Sequence, residues 1–349
     1  MRSIRIGGRE IGPGQPVYVV AELSANHLQD FARAEAIVRA AAAAGADAVK
    51  LQTYTADTIT LDADGPLFRI GGSTPWEGER LYEIYQRAFT PWEWQPALSS
   101  LARELEIDCF SAPFDPSAVE FLEKLDLPAY KIASFELIDL PLVERCARTG
   151  KPVILSTGMA SLEEIGEAIA AARAAGDGGV ALLKCTSAYP SPAVALNLRS
   201  ISELSARFDV PVGLSDHTLD PEVPVSAVAL GACIVERHLT LRRADGGPDA
   251  VFSLEPAELA AMVKSIRLCE QALGAPRFGP GEAEREMLRF RRSLFVVRDI
   301  RAGEALTHAN VRSLRPGAGL APKHLREVIG RRAACDLARG TPLAWEHLG

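Results

Sequence analysis

The sequence predicts an α/β protein, a (β/α)8 TIM barrel followed by a small second domain, and three observations lead to this prediction. Short apolar runs alternate with segments of helical periodicity from residue 17 to residue 273. The runs are apolar at consecutive positions, which is typical of parallel strands buried on both faces. About eight strand–helix units can be counted, and eight such units close a barrel.

The alternative fold is a doubly wound open sheet. Such a sheet would carry a glycine-rich phosphate-binding turn after its first strand. The first run here is followed instead by Glu-Leu-Ser-Ala-Asn-His at residues 22–27, which contains no glycine. The barrel is therefore favoured.

The elements follow in chain order. Residues 3–14 are predicted to form a hairpin, because Ile4 and Ile6 alternate with polar residues and Gly7-Gly8 supplies a turn. The eight apolar runs are residues 17–23, 47–53, 107–114, 129–134, 152–158, 180–187, 211–214 and 233–235. The predicted helices are residues 30–44, 91–105, 116–125, 140–149, 161–175, 198–208, 221–231 and 256–273. Gly45 is predicted to end the first of these helices.

Two segments depart from this alternation. Residues 54–90, here called the excursion, are rich in aromatic residues, and so long a connection usually forms a lid or has structure of its own. After residue 274 the chain loses its helical periodicity and becomes rich in turns. We therefore predict a catalytic barrel at residues 1–275, a linker at 276–290 and a second domain with few helices at 291–349.

Composition limits the possible functions. The chain has 349 residues, a net charge of -7 and no visible basic face, which argues against a nucleic-acid partner. The amino terminus has no signal-peptide pattern, and no apolar run is long enough to span a membrane. The six cysteines are scattered and mostly lie in apolar runs, as expected for buried thiols in a reducing cytosol. A cytoplasmic enzyme without a membrane partner is expected.

The carboxyl ends of the predicted strands carry the chemistry, since active sites of such barrels lie at that face. The polar residues at these ends are Glu22, Lys50, Gln52, Ser111, Lys131, Ser134, Glu136, Ser156, Lys184, Ser187, Ser215, His217, Glu236 and His238. Three lysines and several serines on one face predict a site for a phosphorylated anion. Histidine is the commonest metal ligand, so His217 and His238, at the ends of neighbouring strands, predict a metal site. Together they indicate metal-assisted carbon–carbon or carbon–oxygen chemistry on a small phosphorylated acid.

These residues alone are compatible with three hypotheses about function. Lys184 could form a Schiff base, as in a metal-free aldolase. Alternatively, His217 and His238 hold a divalent ion that polarises an aldehyde. A barrel that binds carbohydrate without turnover belongs to a third class, and it predicts saturable sugar binding without release of phosphate.

With these motifs identified, the chain resembles the sialic acid synthase (NeuB-like) family over nearly its whole length. The stretches that carry the resemblance are residues 21–27, 50–53, 111–115, 131–134, 156–159, 213–218 and 247–249. The carboxyl-terminal segment is similar to the antifreeze-like (SAF) domain of that family, including Arg-Pro-Gly-Ala-Gly at residues 315–319.

The resemblance implies a condensation that uses phosphoenolpyruvate and either Mn²⁺ or Mg²⁺. It implies that His217 and His238 are the metal ligands and that Glu22 and Asp249 hold the sugar aldehyde. Further substrate-binding residues are expected to be Lys50, Gln52, Ser111, Lys131, Ser134, Ser156, Ser187, Tyr189, Ser215 and Glu236. Glu136 is the candidate that orients or deprotonates the attacking water. Arg315 would enter the partner subunit's site in a domain-swapped homodimer.

The sequence differs from some members of the family at residues that bear on the sugar acceptor. Family members that make N-acetylneuraminate carry Asn where this chain has Ser187. Ser187, the tryptophan-containing segments at residues 76–78 and 90–94, and residues 22–26 are similar to the branch whose acceptor is 2,4-diacetamido-2,4,6-trideoxy-L-altrose. An aromatic-rich excursion suits a sugar with a methyl group and two acetamido groups. Synthesis of N-acetylneuraminate or legionaminate is the alternative.

Overall fold

The structure is a computed structural model, and it describes residues 3–72, 74 and 76–349. Met1 and Arg2 of the predicted barrel domain, and Ser73 and Pro75 of the excursion, lie outside the described residues. The chain divides into two compact units, Met1–Gly274 and Ala275–Gly349.

The first unit contains a closed barrel of eight parallel strands, which confirms the predicted fold class. A hairpin of β1 (Ile4–Ile6) and β2 (Arg9–Ile11) comes first, as predicted. The barrel strands are β3 (Tyr18–Glu22), β4 (Ala48–Thr53), β5 (Asp108–Pro113), β6 (Tyr130–Ile132), β7 (Val153–Ser156), β8 (Val180–Cys185), β9 (Val212–Asp216) and β10 (Ile234–His238). They neighbour each other in chain order, and β10 pairs with β3 to close the ring.

Helices alternate with these strands. They are α1 (Phe31–Ala43), α2 (Ala56–Ile59), α3 (Leu81–Ala88), α4 (Gln95–Glu104), α5 (Pro116–Glu123), α6 (Leu140–Ala147), α7 (Leu162–Ala175), α8 (Ser200–Phe208), α9 (Glu222–Ala229) and α10 (Pro256–Leu273). The excursion contains α2 and α3 and therefore has structure of its own. The helix predicted from residue 91 begins as a 3-10 turn, Trp92–Trp94, before α4.

Local signals in the sequence explain where several helices begin and end. Ser161 Oγ accepts a hydrogen bond from Glu164 N at 3.2 Å, and Glu164 Oε2 accepts one from Ser161 N at 2.7 Å. This reciprocal pair satisfies backbone amides that have no partner inside α7. Asp115 caps α5 by accepting hydrogen bonds from the backbone N–H groups of Ser117 and Ala118. Gly45 follows α1 with a φ of +86°, a conformation that costs glycine little.

Side-chain alternation along the strands separates an inner layer from an outer one. Residues that point into the barrel include Tyr18, Val20, Ala48, Phe110, Ile154 and Leu183, and they pack with Ile4, Ile6 and Ile11 of the hairpin. The intervening residues face the surrounding helices. The barrel is therefore filled from its amino-terminal end, and the polar residues at the carboxyl ends of the strands lie on a packed floor.

The second unit is small. Its strands β11 (Ser293–Val296) and β12 (Val311–Leu314) pair antiparallel, and its one α-helix among the described residues is α11 (Leu325–Val328). Residues Glu282–Phe290, which lie in the predicted linker, form a 3-10 helix. The core of this unit consists of Leu294, Val296, Ile300, Leu306, Val311, Val328, Ala333, Leu337 and Leu343.

In the part of the chain that the structure describes, no helix is both long enough and apolar enough to cross a membrane. All six cysteines are free thiols; Cys109, Cys146, Cys185 and Cys233 are buried, while Cys335 is exposed.

Candidate active site

Four charged side chains form what we call the charged layer of the barrel: Glu22, Lys50, Lys131 and Glu236. They point inward, because each lies two residues beyond an inward-facing apolar residue of its strand. The register places Glu22 beside Lys50 across β3 and β4. All four side chains are buried. Buried charged side chains are stable only if each charge is paired with an opposite one.

The pairing is nearly complete within the chain. Lys50 Nζ lies 2.5 Å from Glu22 Oε2 and 3.1 Å from Glu236 Oε2. Lys131 Nζ lies 3.7 Å from Glu236 Oε1 and donates a hydrogen bond to Ser156 Oγ at 2.7 Å. Ser215 Oγ donates to Glu236 Oε1 at 2.9 Å. Glu236, on β10, therefore connects two lysines and a serine from three other strands.

The two lysines differ electrostatically. Burial lowers the pKa of Lys50, but the carboxylates of Glu22 and Glu236 outweigh burial, and the pKa is raised overall. Burial lowers the pKa of Lys131 to about 8, and its more distant contact with Glu236 offsets this only in part. Burial tends to raise the pKa of Glu236, yet Lys131 and Lys50 bring it down to about 2. An anion that binds in this layer would therefore stabilise the charged form of Lys131 more than that of Lys50.

Two hydroxyl groups, those of Ser134 and Ser187, meet at Gly158, two residues beyond Ser156. Ser134 Oγ accepts a hydrogen bond from Gly158 N at 3.1 Å. A Cβ atom added at Gly158 would lie 2.2 Å from Ser187 Oγ and 2.7 Å from Ser134 Oγ, so only glycine fits between them. The hydroxyl groups of Ser134 and Ser187 are suited to donate to the oxygens of a phosphate group. Gly158 was part of a recognised motif but not a predicted site residue.

Two imidazoles, His217 and His238, form what we call the imidazole layer. His238 lies two residues beyond Glu236 on β10, which is about 6–7 Å further toward the mouth of the barrel. The ring centroids are 5.3 Å apart. The Nδ1 atom of each ring is buried without a hydrogen-bond partner.

The imidazole layer is uncharged. Burial lowers the pKa of His217 to about 3 and lowers that of His238 as well. A neutral imidazole with an unused nitrogen is the form that binds a metal ion. Within the described residues no group of three or more His, Cys, Asp or Glu side chains is arranged to hold a metal. His217 and His238 could therefore offer two nitrogen ligands to a metal ion.

A buried ion pair holds the backbone on both sides of these imidazoles. Arg237, from β10, donates to a carboxylate oxygen of Asp216 at the end of β9 and to the carbonyl oxygen of Thr218. Asp216 Oδ1 also accepts from Thr218 N at 2.9 Å. Because Asp216 and Thr218 flank His217, and Arg237 precedes His238, the pair fixes the two rings relative to each other.

Asp249 lies beside the imidazole layer. Its Oδ2 atom is 4.0 Å from His238 Nδ1, too far for a hydrogen bond, and His238 is neutral. Asp249 accepts a hydrogen bond from Ser24 Oγ, and the backbone N–H of Ser24 donates to Glu22 Oε1 at 2.8 Å. Ser24 adopts a φ of +47°, which is uncommon for a residue other than glycine. Ser24, which was not a predicted site residue, therefore links Glu22 to Asp249.

Aromatic rings cover the imidazole layer. Tyr189 lies 4.6 Å from His217 between ring centroids, and Phe252 lies 5.0 Å from His238. Trp76, from the excursion, lies 5.8 Å from Tyr189 and 6.3 Å from Phe252. Tyr189 was a predicted site residue, but Phe252 was not. We call Trp76, Tyr189 and Phe252 the aromatic wall.

Glu136 lies on the 3-10 turn Ser134–Glu136, which follows β6. Its Oε2 atom is buried without a hydrogen-bond partner. Burial raises the pKa of Glu136 to about 7, although Lys131 opposes this. A carboxyl group with a pKa near neutrality is suited to accept a proton from water.

Two predicted strand-end residues point away from this site. Ser111 pairs in register with Tyr130, which faces the helices, and its hydroxyl lies 2.6 Å from Thr53 Oγ1. Lys184 pairs with Leu214, also on the outer side, and its Nζ donates to its neighbour's carbonyl oxygen, Cys185 O, at 2.7 Å. The structure therefore does not bring Ser111 or Lys184 together with the other candidates. The Schiff-base hypothesis for Lys184 loses its geometric basis.

The two remaining candidates, Gln52 and Arg315, lie at or just beyond the ends of their strands. Gln52 lies near the end of β4, two residues beyond Lys50 and on the same side of the strand. Arg315 directly follows β12 in the second unit.

Comparison with known proteins gives a consistent result. Residues 37–277 match the model of the NeuB family, and residues 291–349 match that of the SAF domain. The pseudaminic acid synthase of Helicobacter pylori is 46% identical over 336 residues, covering 96% of this chain and 98% of that protein. The pseudaminic acid synthase of Campylobacter jejuni is 42% identical over 327 residues, covering 94% and 95%. The solved N-acetylneuraminic acid (sialic acid) synthetase from Leptospira borgpetersenii, in complex with citrate, superposes with a TM-score of 0.73 at 30% identity and covers 82% of this chain and 95% of that one.

Proposed function

The chain belongs to the NeuB family and ends in a SAF domain, and we propose that it is a pseudaminic acid synthase. The enzyme condenses phosphoenolpyruvate with 2,4-diacetamido-2,4,6-trideoxy-L-altrose and water to give pseudaminic acid and phosphate. The observation that carries the proposal is the 46% identity to a pseudaminic acid synthase over 96% of the chain.

The chemistry requires one new carbon–carbon bond and one broken carbon–oxygen bond. Carbon C3 of phosphoenolpyruvate attacks the aldehyde carbon, and the aldehyde oxygen takes up a proton. Water adds to C2, loses a proton, and phosphate leaves with the oxygen that bridged it to C2. The site must therefore hold an anion, orient a carbonyl group and accept a proton from water.

We assign phosphoenolpyruvate to the charged layer and the serines beside it. Lys50, Lys131, Ser134, Ser156, Ser187 and Ser215 would hold its phosphate and carboxylate, with Glu236 keeping both lysines in position and Gln52 at the rim. The low pKa of Lys131 supports this assignment. Burial destabilises the charged form of this lysine, and a bound anion would stabilise it. Since Ser111 points away from this group, its role in substrate binding is not retained.

We assign the acceptor aldehyde to the imidazole layer, with Glu22, Asp249 and Tyr189 beside it. A divalent ion, Mn²⁺ or Mg²⁺, bound by His217 and His238 would act as a Lewis acid on the carbonyl group. The unpartnered Nδ1 atoms and the absence of charge on both rings support these ligands. Glu136 would orient the attacking water and accept its proton, because its carboxyl group ionises near neutral pH.

We also propose that the enzyme is a domain-swapped homodimer in which Arg315 enters the partner subunit's site. Exposed apolar side chains on the loops that follow the barrel strands support a docked partner at this face. These side chains are Phe135, Ile138, Met159, Val194, Leu219 and Val251. If Arg315 contacts the sugar, Arg315→Ala raises the KM for the acceptor far more than that for phosphoenolpyruvate. Equal effects on the two constants would refute the contact.

The test of the function is release of phosphate from phosphoenolpyruvate with a panel of acceptors. We expect the highest kcat/KM with the trideoxy-L-altrose acceptor and a much lower value with N-acetylmannosamine. Higher turnover of N-acetylmannosamine, or of the legionaminate precursor, would assign the enzyme to another branch of the family.

With ¹⁸O in the bridging position of phosphoenolpyruvate, the label should appear in phosphate, and label retained in the acid would contradict C–O cleavage. Saturable sugar binding without release of phosphate would instead identify a binding protein.

A further inference from the structure

The aromatic wall joins a distant segment of the chain to the imidazole layer. Tyr189 contacts the ring of His217, Phe252 contacts both imidazole rings, and Trp76 contacts Tyr189 and Phe252. Trp76 is therefore one ring further from the imidazoles than its two partners. The charged layer lies on the opposite side of the imidazoles, toward the floor of the barrel.

Trp76 is also fixed to the loop that carries Asp249. Its indole Nε1 donates a hydrogen bond to the carbonyl oxygen of Pro248 at 3.0 Å. Asp249 follows directly and lies 4.0 Å from His238. The Trp76 ring is consequently held at a defined distance from the place assigned to the aldehyde, with part of its surface exposed.

This order of layers determines how an extended acceptor must lie. The aldehyde carbon must meet phosphoenolpyruvate, which is assigned to the charged layer, so the rest of the sugar extends outward. In an open-chain hexose the sixth carbon is furthest from the aldehyde. It therefore approaches the aromatic wall, where the indole N–H is already used by Pro248 and the rings offer an apolar surface.

We propose that Trp76 determines specificity by favouring an acceptor whose sixth carbon is a methyl group over one with a hydroxyl group there. The inference rests on the proposed function and deepens it. A hydroxyl group against the wall would lose its hydrogen bonds to water and gain none. Because an apolar pocket discriminates against an added hydroxyl only moderately, we expect a preference of about 10- to 100-fold in kcat/KM.

The experiment compares two acceptors that differ only at this position: 2,4-diacetamido-2,4,6-trideoxy-L-altrose and its 6-hydroxy counterpart. For Trp76→Ala, the ratio of the two kcat/KM values should fall to about threefold or less, while the KM for phosphoenolpyruvate stays within about twofold. Trp76→Phe keeps a smaller ring and should give an intermediate ratio. It also provides a test if the alanine variant does not fold.

Trp92 offers a matched control in the same chain. Its Nε1 likewise donates to a backbone carbonyl oxygen, Tyr54 O, at 3.1 Å, and its ring contacts Phe121. Trp92→Phe should leave the preference between the acceptors unchanged.

Two outcomes overturn the inference, and they are distinguishable. If the unmodified enzyme uses the trideoxy acceptor but the Trp76 variants slow both acceptors equally, Trp76 is structural and the proposed function stands. If the unmodified enzyme uses neither diacetamido acceptor but does use N-acetylmannosamine, the proposed function fails and the inference fails with it.

Discussion

The charged layer and the imidazole layer lie about 6–7 Å apart in one barrel, yet they are built in opposite ways. In the charged layer, Lys50 and Lys131 are compensated by Glu22 and Glu236. In the imidazole layer both rings are neutral, and each keeps a buried nitrogen without a partner. Removing a group from the first layer leaves neighbours that partly replace it. Removing a group from the second layer removes a function that no described neighbour supplies.

The largest effect is therefore expected from His217→Ala or His238→Ala. Loss of about 4 kcal/mol of transition-state stabilisation by the ion corresponds to a decrease of roughly 10³-fold in kcat/KM. Electron paramagnetic resonance during titration with Mn²⁺ should show that tight binding to the folded variant is lost.

His27 is the matched control for this prediction, because it is also a buried imidazole of the barrel with a lowered pKa. Its nitrogens are occupied, however: Nδ1 accepts from Gln29 N at 3.1 Å, and Nε2 lies 3.3 Å from Thr90 Oγ1. His27→Gln should retain Mn²⁺ binding. If the His217 variant kept full activity without metal, His217 would not be a ligand.

Glu136 shares a feature with each layer. It has a carboxyl group, as Glu22 and Glu236 do, and like the two imidazoles it has a buried atom without a hydrogen-bond partner. If it accepts a proton from water, Glu136→Gln should lower kcat by about 10²-fold. Burial raises the pKa of this carboxyl group to about 7, so the active carboxylate form is lost as pH falls. The rate of the unmodified enzyme should decrease below pH 7, and the variant should lack this decrease.

Asp139 serves as the control carboxylate for Glu136. It lies three residues away, is exposed, and caps α6 by accepting from Leu142 N at 3.1 Å. Asp139→Asn should leave kcat near its original value. A variant of Glu136 with unchanged kcat and an unchanged acid limb would exclude it as the base.

Lys131 and Lys184 test whether position within the barrel, rather than burial, makes a lysine functional. Burial lowers the pKa of both, but Lys131 points into the charged layer and Lys184 points toward the helices. Losing one charge-assisted hydrogen bond costs about 2 kcal/mol, so Lys131→Met should lower kcat/KM for phosphoenolpyruvate roughly 30-fold. Lys184→Met should change it by about twofold or less. An equal loss in both variants, or a borohydride-trapped adduct on Lys184, would contradict the assignment.

The same pair of lysines shows what the sequence could and could not predict. The eight units, most helix boundaries and the polar strand ends were predictable, because parallel strands and helix caps have local signals. The direction of Ser111 and Lys184 was not, since a run that is apolar on both faces does not reveal which residues point inward. Ser24 was missed because its role depends on a hydrogen bond to Asp249, far along the chain. Phe252 was missed because its role depends on ring contacts with distant residues such as Trp76 and Tyr189.

The smallest effect concerns a difference inside the charged layer. Lys50 has two carboxylates within 3.1 Å and a raised pKa, whereas Lys131 has a pKa of about 8. Lys131 binds an anion in its protonated form, which is lost as pH rises through 8. The kcat/KM for phosphoenolpyruvate should therefore fall by about tenfold between pH 8 and pH 9. It should then level off, because losing the charge of Lys131 cannot cost more than removing its side chain. Arginine remains protonated at these pH values, so Lys131→Arg should be less active at pH 7 but lack the alkaline decrease. An unchanged alkaline limb in this variant would mean that another group titrates, and the two lysines would then be equivalent in binding the anion.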